Sequence, residues 1–70
     1  TTLITRNNLA GAYQSAGDLV RAVSLYEATL ADSERVLGGD HSTTRTVRGN
    51  LAGAADQMLG DHVSRGAEGR

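Results

Sequence analysis

The strongest constraint on this chain is that it says part of itself twice. Thr2 to Gln14 returns at an offset of 42 as Thr44 to Asp56, with seven identities that close on an unbroken Leu-Ala-Gly-Ala. Internal similarity at a period of roughly 20 to 50 residues is the mark of a solenoid, in which each unit is one supersecondary piece. Such a unit cannot bury both of its faces alone, so each pair of helices offers the next a matching face.

Hydrophobic spacing identifies the pieces. From Leu3 to Ala16, the apolar residues Leu9, Ala12, Tyr13 and Ala16 recur at helical intervals, with Arg6, Asn7 and Gln14 off that stripe. Gly17-Asp18 then punctuates, the glycine suited to a left-handed helix end and the aspartate to capping the next helix. A second periodic run extends from Leu19 through Ala22, Val23, Tyr26, Thr29, Leu30, Ser33 and Val36 to Leu37. Gly38 to Ser42 stops it and offers Asp40 or Ser42 as the cap of a third helix, from about Thr43 to Leu59, with Val47, Leu51, Ala54, Ala55 and Met58 inward. Joined by such short turns, consecutive helices pack antiparallel. Beyond Gly60 the apolar stripe dissolves, and a short turn followed by fraying is expected. The expected organisation is a first helix-turn-helix unit with its linker over 1–42, the first helix of a second unit over 43–59, and a degenerate or frayed segment over 60–70.

Composition narrows the function. Seventy residues make a small domain or a piece of a larger one, and with no Cys and no Pro there is no disulfide framework to reinforce a thin core. Seven basic against eight acidic residues, a net charge of −1, provide no basic stripe for nucleic acid. The longest apolar runs fall far short of the roughly 18 residues of a membrane span, so no membrane partner is expected. Absence of Cys fits a cytoplasmic protein. With Tyr13 and Tyr26 the only aromatics, the expected core is Ala, Leu and Val, with helices in close approach.

The residues "NNLAGAYQSAGDLVRAVSLYEATL" resemble a tetratricopeptide repeat: Leu9, Ala10 and Tyr13 fall at first-helix positions, Gly17-Asp18 at the turn, and Ala22 and Tyr26 at second-helix packing positions. The long second helix and the "LGGDHSTT" linker are similar to the 42-residue form of kinesin light chains and bacterial signalling proteins. Ser42 stands where that form has Pro, Thr29 where it has Ala, and Ala55 where it repeats the Tyr. The resemblance implies an all-α fold, a tetratricopeptide-like α-solenoid fragment of three antiparallel helices, excerpted from a longer array. It further implies a protein or peptide partner received on a concave face lined by first helices. The matching positions are Asn7, Gly11, Gln14 and Ser15, then Gly49, Gly53, Asp56 and Gln57. Asn can bond both the N–H and the C=O of an extended peptide, and Gly lets that backbone come close. Gly11 and Gly53 equally suit close helix packing, and Asn8 and Asn50 suit bonds to helix ends or to neighbouring backbone.

Chemistry finds little support. His41 and His62 each follow an Asp, but adjacent residues rarely chelate one ion, and the two segments lie at opposite ends of a helix. Capping is the better reading. No nucleophile motif or opposed carboxylate pair occurs, Glu27, Asp32 and Glu34 read as a solvated face, and no enzyme activity, metal or cofactor is expected. The alternative to peptide binding is a structural role, with exposed solenoid faces joining copies into a homo-oligomer.

Overall fold

The computed structural model describes residues 2–68, and side chains within 2–60. It consists of three helices, α1 (Leu3–Ser15), α2 (Leu19–Leu37) and α3 (Ser42–Glu68), with no strand among the described residues. Each boundary has a local cause. Thr2 caps α1 by accepting from the Thr5 N–H at 3.0 Å. At the other end Gly17 takes φ 85°, the Gly17 N–H donates to the Gln14 carbonyl and the Asp18 N–H to the Tyr13 carbonyl. These two bonds make a Schellman ending, which satisfies carbonyls that the helix leaves free. Asp18 then caps α2 through Arg21 N–H, so one residue ends the turn and starts the next helix. Gly38, at φ 91°, ends α2.

At the start of α3 the expected capping role of His41 is met, while that of Asp40 or Ser42 is not. Neither Asp40 nor Ser42 provides the side-chain cap; His41 does, its Nδ1 accepting from the Thr43 N–H at 3.1 Å. An imidazole two residues back reaches the same free donor that a short carboxylate or hydroxyl would. The far end differs: α3 continues past Gly60 to Glu68 where a turn was expected. Glycine costs a helix about 1 kcal/mol but does not block its hydrogen bonds as proline would.

α2 is the middle of the molecule, packed on α1 along one side and on α3 along the other. Its spine of Ala22, Tyr26, Thr29 and Ser33 is sealed from water, and so are Ala10 on α1 and Thr44, Val47 and Ala54 on α3. The core therefore contains small and hydroxyl-bearing side chains where Leu was expected, and Leu9, Leu37 and Leu59 stay exposed. Small side chains let neighbouring helices pack closely, and Tyr26 and Val47 supply the bulk in this core. Each buried hydroxyl has its bond: Thr29 Oγ1 donates to the Leu25 carbonyl at 2.7 Å, and Ser33 pairs with Thr44. The α1 stripe is a second correction. Leu9, Ala12 and Ala16 face outward, Tyr13 is half-buried, and Ala10 is the residue that seals against the core.

Candidate partner-binding face

Two side-chain amide pairs tie α1 to α3. Asn50 Nδ2 donates to Asn7 Oδ1 at 3.1 Å, and Gln14 Nε2 donates to Gln57 Oε1 at 3.0 Å. Both pairs span a separation of 43 residues. A constant difference between partners, repeated two helical turns apart, requires helices that run in the same direction and in register; antiparallel neighbours would keep the sum of the numbers constant instead. The two Leu-Ala-Gly-Ala segments thus lie side by side as successive members of a row, each antiparallel to α2.

Gln14 is held at both ends of its amide. Its Oε1 accepts from the Tyr26 hydroxyl at 3.1 Å while its nitrogen reaches Gln57, so a chain of bonds runs from α2 through α1 to α3. Burial pushes the Tyr26 phenol above its usual pKa and keeps the hydroxyl a donor. Gly11 lies one turn from Gln14, and a Cβ there would sit 3.5 Å from that same hydroxyl. A Cβ at Gly49 or Gly53 would have no neighbour within 4 Å, so packing does not require glycine at either.

The expected groove residues therefore separate into three groups. Asn7 and Gln14, with Gln57, form the bridges across the α1–α3 seam. Gly11 faces Tyr26, and Gly49 and Gly53 are open. Ser15 and Asp56 are exposed and join no side-chain hydrogen bond among the described residues.

At the Asn7 end a hollow of about 240 Å³ opens between Ile4 and Asn7 of α1 and Ser42, Thr43, Thr46 and Val47 of α3. Its lining carries no charged side chain. Sequence reasoning missed all of it but Asn7, although Ser42, Thr43 and Thr46 share one helical face at spacings of one, three and four. Asn50, expected in a structural role bonding a helix end or neighbouring backbone, bonds the Asn7 side chain of the neighbouring first helix instead.

None of the ion pairs among the described residues involves the bridging residues Asn7, Gln14, Asn50 and Gln57. Asp32 accepts from Arg6 at 2.7 Å and from Arg35, three residues on, at 3.0 Å, so it is the centre of a network rather than part of a freely solvated face. Arg48 bonds Glu34 and the Gly39 carbonyl. Among the described residues no group of three or more His, Cys, Asp or Glu side chains converges on a common point; His62 lies outside the described side chains. Nor is any described helix long and apolar enough to cross a membrane.

Comparison with curated proteins and with solved structures returned no match. One family model does match, described as tetratricopeptide repeat and covering residues 1–64. Repeats of this kind are non-catalytic scaffolds for protein–protein interaction, in keeping with the helix order, the Gly17-Asp18 turn and the parallel first helices found here. The chain belongs to the tetratricopeptide repeat family.

Proposed function

We propose that the chain binds an extended peptide segment of a partner protein along the seam where α1 and α3 lie parallel, through Asn7, Gly11, Gln14, Ser15, Gly49, Gly53, Asp56 and Gln57. The observation that carries this reading is the pair of amide bridges. Once Asn50 has donated to Asn7, the Asn7 amide nitrogen and the Asn50 amide oxygen remain available on the same bridge. A donor and an acceptor side by side match the alternating N–H and C=O of an extended backbone. The Gln14–Gln57 bridge lies seven residues further along, about 10.5 Å at helical rise, the length of about three extended residues. Between the bridges, Gly11 and Gly53 keep the floor low. The 42-residue spacing supports placing the chain with the long-helix form of the family.

The test begins with peptides selected from a displayed random library on the wild-type chain. The Asn7→Ala/Gln14→Ala double variant should lose their binding while its circular dichroism stays helical. Because both residues also bridge helices, Gly53→Arg serves as the second variant: it obstructs the seam from a position where a side chain meets no neighbour. Undiminished affinity in both would remove the seam from consideration.

A further inference from the structure

The α1 side of the seam is one stripe, Ile4, Asn7, Gly11 and Gln14, at spacings of three and four. Asn7 and Gln14 carry the bridges, and Gly11 lies on the floor between them. Ile4 instead borders the hollow of about 240 Å³ that lies against Ser42, Thr43, Thr46 and Val47 of α3. Both walls belong to helices of this chain, so the hollow is part of the seam and not of an end face. Its volume is below the roughly 300–1,000 Å³ of sites that enclose a whole small molecule. One side chain of a longer ligand fills it.

The lining specifies that side chain. Ile4 is 62% exposed and offers apolar surface to a methylene stem. The hydroxyls of Ser42, Thr43 and Thr46 enter no hydrogen bond among the described residues; Thr29, by contrast, turns its hydroxyl onto the Leu25 carbonyl four residues back. Asn7 keeps a free amide nitrogen after Asn50 has bonded its oxygen. A peptide laid over the seam takes water from all four groups, and an apolar side chain in the hollow would leave them unpaired. A carboxylate or an ammonium finds no counter-charge, because the lining carries none. A carboxamide meets both requirements: its oxygen accepts from Asn7 and its nitrogen donates to the hydroxyls. The seam already joins amide to amide twice, and a third amide would extend the row. Glutamine suits better than asparagine, since its two methylenes cover Ile4 while the amide reaches the hydroxyls of α3.

We propose that the hollow between Ile4 and Thr46 is the specificity pocket of the seam and takes a glutamine side chain of the bound peptide. The proposal rests on the reading of the seam as a peptide site and adds the residue by which that site selects a sequence. From Ile4 to Gln14 the helix rises about 15 Å. The glutamine therefore stands about four to five extended residues from the peptide unit that lies on the Gln14–Gln57 bridge.

The experiment uses peptides selected from a displayed random library on the full wild-type chain, with affinities read by isothermal titration. Glutamine should be enriched at one position of the selected sequences. Methionine there, equal in length but apolar, should weaken binding about fivefold, and glutamate, equal in shape but charged, about tenfold. Thr43→Val/Thr46→Val keeps the shape of both side chains and removes their hydroxyls. It should reverse the order, so that the methionine peptide binds more tightly than the glutamine one. Thr46→Phe, which fills the hollow from an exposed position, should bring the glutamine, methionine and alanine peptides to one affinity. Gly53→Arg separates the two readings. If it abolishes binding of peptides that show no glutamine preference, the seam stands and the pocket assignment falls. If no peptide is selected, or the peptides are indifferent to Gly53→Arg, the seam falls and this proposal with it. Tighter binding of the glutamate peptide would overturn the proposal by making the hollow an anion site, and a methionine preference in the wild type by making it an apolar one.

Discussion

Ser33 of α2 and Thr44 of α3 meet hydroxyl to hydroxyl at 2.7 Å in a contact closed to water. The counterpart of Thr44 in the first unit, Thr2, does something different: it caps α1. One threonine thus starts a helix in one unit and fastens a helix to its neighbour in the next. Removing a single partner leaves the other hydroxyl buried without a bond. Ser33→Ala should therefore cost about 1–3 kcal/mol, whereas Ser33→Ala combined with Thr44→Val, which removes both polar groups, should recover much of the loss. Urea unfolding midpoints across this double-mutant cycle give the comparison; additive costs would show that the two hydroxyls do not interact.

Asp32 gives the molecule a dependence on acid. The guanidinium of Arg6 first, and then that of Arg35, hold its carboxyl below the usual range. A depressed carboxyl pKa stabilises the fold above the unfolded value of about 3.9, and the contribution disappears as pH falls through the lower folded value. Thermal melts of the wild type should thus decline as pH drops below about 4 more than those of Asp32→Asn, which has no charge to lose. Parallel curves for the two proteins would show that Asp32 is not the group responsible.

Tyr26 acts at the opposite end of the pH scale. Burial raises its pKa, so the folded state holds the phenolic proton more tightly than the unfolded chain. That contribution is present below the unfolded value of about 10 and is lost as pH rises through the folded one. Tyr26→Phe keeps the ring in the core but gives up the bond to Gln14, which should cost about 0.5–1.5 kcal/mol at neutral pH. It should also flatten the alkaline decline. Denaturant unfolding at neutral pH and at pH above about 10 separates the two effects.

The reach of the sequence is uneven for physical reasons. The bounds of α2 were legible to the residue because Asp18 and Gly38 mark its ends with side-chain capping and a positive φ. The parallel placement of α1 and α3 was legible from the period alone. Which face of α1 turns inward was not: Ala12 and Ala54 are identical in sequence, and only their neighbours make one exposed and the other buried. Periodicity finds a stripe but says nothing of how many helices stand against it. The seam was half legible, since Asn7 and Gln14 stand off the apolar stripe, but their pairing with Asn50 and Gln57 reflects a one-residue slip between the 42-residue repeat and the 43-residue spatial register. The continuation of α3 through Gly60 was hidden because glycine reads as a stop whether or not the helix heeds it.

Gly53 separates stability from binding. A Cβ there meets nothing, and the residue lies inside a helix with ordinary backbone, so Gly53→Ala should stabilise the fold by about 1 kcal/mol, worth about 4–8 °C in Tm for a domain of this size. Gly38→Ala is the control with the opposite sign: the space is equally open, but φ 91° strains any residue with a Cβ, and a loss of about 1–3 kcal/mol is expected. If a partner's backbone lies on the seam, the methyl of Gly53→Ala stands where that backbone must approach, and selected peptides should bind more weakly to the more stable protein. Thermal melting and peptide titration on the same samples read both quantities. A glycine that lowers stability without being needed for packing is then explained by close approach of a ligand; a variant that gains stability and binds as well as the wild type would leave Gly53 without a role in recognition.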